Sequence, residues 1–265
     1  MNLRSPLDGL SVVLINLPRS KERRDCMQKR LAALGLNYEI LPAIDGRAEQ
    51  ERLAQNVDDS AFQRNVGRDV LPGEIGCYYS HLAAWERFLS SGEQVLLVLE
   101  DDVVFHDDFI EALQMALRAR PHWDFLKLNK IRAKQPVCQG RLGSYNLNAY
   151  LGPATGLGAY LIQRPTVQRL LPRMLPITRP IDHELDLIWR HDFRHFGLEP
   201  FPSHVQDDGV STITGERFQS VKRYPLSRRW PKYAKQFYRL LSRLIYLARR
   251  GRLLPRRAPL PLENR

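Results

Sequence analysis

The sequence predicts an α/β fold, a sheet flanked by helices, with a basic amphipathic helix after it, and three observations carry that expectation. Residues 10–17 and 95–99 are apolar runs rich in Val, Ile and Leu, the pattern of strands covered on both faces. Segments of helical period alternate with strand-like segments along residues 10–206, as they do where parallel strands are wound with crossover helices. Finally, positive charge is concentrated at the end: residues 221–265 hold 14 Lys and Arg against a single acidic residue.

The first apolar run leads through Pro18 and Ser20, a helix start, into a charged helix with Met27, Leu31 and Leu34 on one face and Gly35 to stop it. A second strand, 38–44, ends at the turn Asp45-Gly46, so the chain opens as strand, helix, strand. Residues 49–70 are polar without a clean period and read as a loop or loose helix. After Pro72-Gly73, the apolar positions Ile75, Tyr78, Leu82, Trp85 and Leu89 recur at three- and four-residue steps, which predicts a helix over 74–89. Asp107 or Asp108 then caps a helix that turns Phe109, Ile110, Leu113 and Leu117 inward, and 123–128 is a further strand. Residues 150–162 mix glycines with strand formers, as in a strand that passes close to a ligand. Pro165 opens a short helix through Leu171, 180–189 reads as another, and 198–206 is the last strand-like piece.

The strand at 95–99 runs straight into Glu100-Asp101-Asp102. Three carboxylates at the end of a buried strand call for a positive charge. Side chains alternate along a strand, so Glu100 and Asp102 share a face and Asp101 points away. Such a pair suits Mg²⁺ or Mn²⁺, hard cations that take one or two protein carboxylates and fill their shell with phosphate oxygens and water. The alternative is a helix cap or a solvated acidic turn.

With 265 residues, 43% of them hydrophobic, the chain can bury one substantial core. The net charge of +11 falls in the tail, leaving residues 1–220 close to neutral, which argues against a basic cleft that tracks nucleic acid. We therefore expect one domain, 1–220, and a tail, 221–265, with no nucleic-acid partner. Cys26, Cys77 and Cys138 have neither disulfide nor zinc spacing, and the first residues lack the apolar stretch of a signal peptide. The expectation is a cytoplasmic protein. In the tail, Tyr233, Phe237, Leu240, Leu241, Leu244, Ile245 and Ala248 form one helical face, while Lys232, Lys235, Arg239, Arg243 and Arg250 populate the other. A basic amphipathic helix of this kind suits an anionic membrane surface, the competing reading being a helix docked on the protein's own core.

The segment Leu71-Pro-Gly-Glu-Ile-Gly-Cys-Tyr-Tyr-Ser-His81, then Trp85, then Leu99-Glu-Asp-Asp-Val103, resembles the glycosyltransferases of family 25. This group serves lipopolysaccharide and lipooligosaccharide biosynthesis in bacteria and includes the collagen galactosyltransferases. Ile15-Asn-Leu with Arg19 and Arg23, the Ala43-Ile-Asp-Gly46 turn, Gly156 with Tyr160, and Pro180-Ile-Asp182 continue the match in order. The resemblance implies a GT-A-like fold, a Rossmann-type nucleotide-binding mixed sheet with flanking helices. It also implies a UDP-sugar donor, UDP-galactose most often, a saccharide or glycolipid acceptor, inversion at the anomeric carbon and a divalent metal at the acidic motif. A lipid-borne acceptor favours peripheral attachment to the inner face of the cytoplasmic membrane.

On that resemblance, Asp102 is the first metal ligand, and Glu100 and Asp101 divide a second ligand and a sugar or ribose contact, unassigned between them. Asn16, Arg19, Arg23, Glu74, Ser80, His81, Gly156 and Gln206 are candidate donor contacts, and His204 a late metal ligand. Some have a plainer reading: Arg19 and Arg23 begin a solvated helix, His81 is a hydrogen-bonded core histidine, and His204 a surface one. Inversion needs a base for the acceptor hydroxyl, and Asp182 or Glu184 supplies the carboxylate, although Asp182 also suits a helix cap. Cys77 has no partner base and reads as packing. A metal-dependent phosphoryl- or nucleotidyltransferase would use the same carboxylates. A nucleic-acid binder using the tail is the competing class, and it would show a steep salt dependence.

Overall fold

The computed structural model describes residues 7–129, 131–206 and 224–263. Eight strands form one mixed sheet: β1 (Leu10–Asn16), β2 (Glu39–Pro42), β3 (Val95–Glu100), β5 (Phe125–Lys127), β6 (Pro136–Leu142), β7 (Tyr145–Tyr150), β8 (Ala159–Gln163) and β9 (His195–Glu199). Their order across the sheet is β2-β1-β3-β8-β5-β9-β7-β6. A separate ribbon pairs β4 (Val103–Phe105) with β10 (Ser203–Val205). The opening unit is as expected, since α1 (Lys21–Ala33) carries the chain from β1 to a parallel β2. β3 then lies on the other side of β1, also parallel, with Ile15 opposite Glu100. β8 runs antiparallel between β3 and β5, so the sheet is mixed.

Residues 95–99 are buried throughout, as a strand with both faces covered requires. α4 (Pro72–Leu89) packs on this part of the sheet and sinks Tyr78, Trp85 and Phe88 into the core. The turn before α2 (Gln50–Ala54) is pressed onto it without room for side chains. A Cβ on Gly76 would meet the Ile44 carbonyl and lie 2.6 Å from the Gly46 nitrogen. Ser80 closes the same contact: its hydroxyl donates to the Gly76 carbonyl at 2.7 Å and accepts from the Ile44 N–H at 2.8 Å.

Several boundaries differ from the expectation. Residues 49–70 are not loose: they hold α2 and α3 (Asp59–Val66), the latter capped by the Asp58 carboxylate on the Ala61 N–H and ended by Gly67 at φ 80°. The glycine-rich segment is not a strand throughout: β7 ends at Tyr150, a loop follows, and β8 begins at Ala159. Residues 180–189 divide into α7 (Ile181–Leu185) and α8 (Ile188–His191), and 198–206 into the end of β9 and all of β10. α5 (Phe109–Arg118) and α6 (Arg164–Leu170) lie where the pattern put them.

The tail helix, α9 (Leu226–Arg249), docks with its charges inward. Arg243 is buried; it donates to the Gly152 and Asp186 carbonyls at 2.8 Å and pairs with the Asp186 carboxylate at 2.5 Å. Lys235 donates to Asn65 at 2.8 Å. The docked-core reading holds for the wrong face, because Trp230, Phe237 and Tyr238 are 67%, 70% and 63% exposed.

Candidate active site

Open α/β sheets bind ligands beyond the carboxyl ends of their parallel strands, where neighbouring connections leave in opposite directions. That point here lies between β1 and β3, since β2 and β3 flank β1 on its two sides. Asn16 ends β1 and Glu100 ends β3, so strand order alone brings two candidate residues to one crevice.

Asn16 is buried, and its amide donates to Asp101 at 2.7 Å and to the Ser20 carbonyl at 3.2 Å, tying the start of α1 to the acidic turn. Arg23, from the first turns of α1, lies 3.2 Å from Asp101 and 3.6 Å from Asp102. Burial pushes the Asp101 carboxyl up against the opposing pull of Asn16 and Arg23. Asp102 is less well compensated. Burial and then the neighbouring Glu100 charge push it up to about 7, and its Oδ1 is buried with no hydrogen-bond partner. An all-oxygen donor set with an orphaned carboxylate oxygen and mutual repulsion fits a hard divalent cation. The Gln206 N–H donates to the Asp102 carbonyl at 2.8 Å, and its side chain accepts from Arg30 at 3.0 Å.

The strand ends at Glu100 and residues 101–102 form a turn, so the expected alternation does not set Asp101 apart: Arg23 reaches both Asp101 and Asp102, while the Glu100 carboxylate meets a chain of donors. The Trp85 indole donates to the Tyr160 hydroxyl at 3.0 Å, which leaves the hydroxyl proton for His81 Nδ1, also at 3.0 Å. His81 then carries its own proton on Nε2 and donates it to Glu100 at 3.2 Å. Burial holds the Tyr160 hydroxyl well above its ordinary pKa, so it stays a donor. The Cys77 sulfur lies within 4.8 Å of the His81 and Glu100 ligand atoms, and these three make the only such metal-capable group among the described residues. Burial and then Glu100 push the Cys77 thiol up, which suits packing and not a nucleophile.

The third wall is the loop before β8. The Gly156 N–H donates to Asp182 at 3.0 Å, joining two candidate residues, while the other Asp182 oxygen accepts from the His183 N–H at 2.8 Å. Gly156 has φ 89°, and a Cβ there would come 2.5 Å from Ile131. Sequence reasoning missed the residue that holds this loop. Lys127 is fully buried, donates to the Thr155 carbonyl at 3.0 Å and to the Gly156 carbonyl, and is pushed down to about 8 by burial. A lysine inside the apolar strand 123–128 was the available signal. Asn129 was missed too: it is fully buried, accepts from the Ala159 N–H at 3.2 Å, and its amide nitrogen has no partner.

Other candidates are engaged elsewhere. Glu74 forms a buried two-pronged pair with Arg68 at 2.5 and 2.7 Å and accepts from the Leu71 N–H at 3.2 Å. Glu184 sits among Arg179, Arg190 and His191 at 3.0, 3.2 and 2.9 Å. Burial pushes its carboxyl up, but the His191 hydrogen bond and the two guanidinium groups outweigh this and leave it below the ordinary value. Arg19 reaches Asp45. His204, on β10, faces His106 at 2.9 Å. Ser80 is occupied by the turn contact.

The fold is that of an α/β protein, with the candidate crevice at the carboxyl ends of the parallel strands β1 and β3. Residues 10–185 match the profile of Glycosyltransferase family 25 (LPS biosynthesis protein), and the chain belongs to that family. A glycosyltransferase 25 family member of Anopheles gambiae is 31% identical over 221 residues, covering 78% of this chain and 36% of its own. The inactive glycosyltransferase 25 family member 3 of Homo sapiens is 29% identical, with 74% and 37% covered. Procollagen galactosyltransferase 1 of Danio rerio is 26% identical, with 74% and 37% covered. The chain thus spans little more than a third of the length of these relatives.

Proposed function

We propose that this chain is an inverting glycosyltransferase that moves a hexose from a UDP-sugar, UDP-galactose foremost, to a saccharide acceptor of lipopolysaccharide, lipooligosaccharide or a related surface glycan. The observation that carries the reading is Asp102, a carboxylate with a buried unpartnered oxygen beside Glu100 at the β1/β3 crevice. Family membership supports the reaction class, and the name of the Danio rerio relative motivates galactose. Mn²⁺ or Mg²⁺ held by Asp102, with Glu100 beside it, would supply the positive charge that a departing diphosphate requires.

Around that charge the chain's own residues have distinct work. Arg23, a quarter exposed and already near Asp101 and Asp102, is placed to pair with phosphate oxygens. The Trp85–Tyr160–His81 chain fixes the Glu100 carboxylate in one orientation. Asp182, steadied by the Gly156 N–H, accepts the proton as the acceptor oxygen bonds to the anomeric carbon and the bond to the diphosphate breaks. Glu184 is the weaker choice as base, because three cationic or donor groups already hold it.

Relatives named inactive make turnover the deciding measurement. UDP release should be followed with UDP-galactose, UDP-glucose and UDP-N-acetylglucosamine, with and without Mn²⁺, in the parent and in Asp102→Ala. The proposal expects metal-dependent release from one donor and its loss in the variant. Undiminished release by the variant in the presence of Mn²⁺, or phosphate or diphosphate as the product in place of UDP, would overturn it.

A further inference from the structure

A surface helix normally hides its apolar face and shows its charged one. Apart from Tyr246 and Leu247 near its end, which pack on the core, α9 does the reverse. Lys235, Arg239 and Arg243 turn toward the body, where burial and the neighbouring Arg179 push the Arg239 guanidinium down to about 10. Trp230, Tyr233, Phe237, Leu240, Leu241 and Ile245 are each 44% or more exposed. They recur at three- and four-residue steps, so they make one continuous face along a helix of 24 residues, about 36 Å long.

We infer that this face of α9 is a membrane-docking surface that lies flat in the headgroup region of an anionic bilayer. Its composition is that of interfacial segments, aromatic rings together with leucines and an isoleucine on one exposed face. Charge complementarity selects the occupant. Arg249, Arg256 and Arg257 are exposed at the far end of α9 and beyond it, Arg250 being paired with Asp192, and residues 221–265 carry a net charge of +13. A second copy of this chain would bring one cationic rim against another, whereas acidic lipid headgroups attract it. No helix among the described residues is long and apolar enough to cross a membrane, so the helix lies on the surface. Because α9 packs against α3 and α8, the bilayer would meet the molecule on that flank. The inference does not depend on the reaction proposed above.

The test uses the full chain with vesicles of equal parts phosphatidylglycerol and phosphatidylethanolamine, and with pure phosphatidylcholine vesicles for comparison. The protein should float with the anionic vesicles, and its tryptophan emission should shift to the blue. Trp85 and Trp123 are fully buried, so the shift reports Trp230 and the half-buried Trp189, and Trp189→Phe leaves Trp230 as the reporter. The double variant Phe237→Glu, Leu241→Glu should lower the partition coefficient about 100-fold or more, because two apolar insertions are lost and two repelled charges gained. Both side chains are exposed, so the thermal melting of the variant should match the parent and exclude misfolding. Three results would each refute the inference: no flotation by the parent, equal flotation by parent and variant, or a dimer in solution that the same variant dissolves without any effect of lipid.

Discussion

Replacing Asp102 with Asn is expected to make the metal-free protein more stable at pH 8, against the usual direction for a buried substitution. The Asp102 carboxyl is lifted from its ordinary 3.8 to about 7, by burial first and then by Glu100. A carboxyl whose native pKa lies above its unfolded value supports folding fully only below about pH 4. That support is lost as the pH rises through about 7 and is absent at pH 8. Three pH units at about 1.4 kcal/mol each give roughly 4 kcal/mol. The side chain is 22% exposed and Arg23 lies 3.6 Å away, so screening and the lost ion pair reduce the net gain to about 2 kcal/mol. For a chain of this size that is a rise in Tm of about 4–6 °C. Calorimetry with a chelator at pH 4, 6 and 8 should show the gap between parent and variant open as the pH rises and close at pH 4. Adding Mn²⁺ should then invert the order, because the parent alone gains binding energy, about 2.7 kcal/mol at a hundredfold excess over Kd. A variant less stable than the parent at pH 8, a gap that ignores pH, or equal stabilisation by Mn²⁺ would refute the reasoning.

Asp182→Asn should lower kcat by about 10²–10⁴ with little loss of stability, while Glu184→Gln should cost about 3 kcal/mol by leaving Arg179 and Arg190 facing no anion; kinetics and urea denaturation of both variants would expose an exchange of roles. Gly76→Ala, which in an ordinary helix interior gains up to about 1 kcal/mol, should here lose about 3 kcal/mol, because the new Cβ meets backbone atoms of Ile44 and Gly46. Urea midpoints check the sign. Tyr160→Phe should strip both Trp85 and His81 of a partner, at a cost of about 2 kcal/mol. Nitrogen-15 NMR of the parent should find the His81 proton on Nε2, and a proton on Nδ1 would reverse the direction of the donor chain.

The frame of the fold was legible where the pattern was long and uniform: residues 95–99 admit no reading but a buried strand, and the five apolar positions from Ile75 to Leu89 none but a helix. Short elements set by a few polar residues were harder. Asp58 and Gly67, the cap and stop of α3, are ordinary residues in a polar stretch until the helix between them is known. The β6–β7 hairpin escaped because its strands alternate polar and apolar residues irregularly and carry a register shift between Cys138 and Arg141. In the site, motif residues such as Asn16, Asp101, Gly156 and Asp182 do meet, because strand ends and one loop bring them together. Glu74 and Glu184 show the limit: a carboxylate bonded to a guanidinium within the core looks the same in sequence as one that awaits a ligand. Lys127 and Asn129 required the sheet order, since their partners lie on the loop before β8 and its first residue.

The strand order carries a consequence for how this chain comes into being. β9 is made after β5, β6 and β7, yet it lies between β5 and β7 and is hydrogen-bonded to both. Until residue 199 has left the ribosome, β5 has one open edge, and the β6–β7 hairpin has no place in the sheet to join. Unpaired apolar strand edges are what chaperones hold and what aggregates grow from. The Gln206 bond to the Asp102 carbonyl forms later still. The crevice is therefore finished only after synthesis has passed both points, so its ligand would recognise chains extended beyond residue 206 and ignore every shorter intermediate.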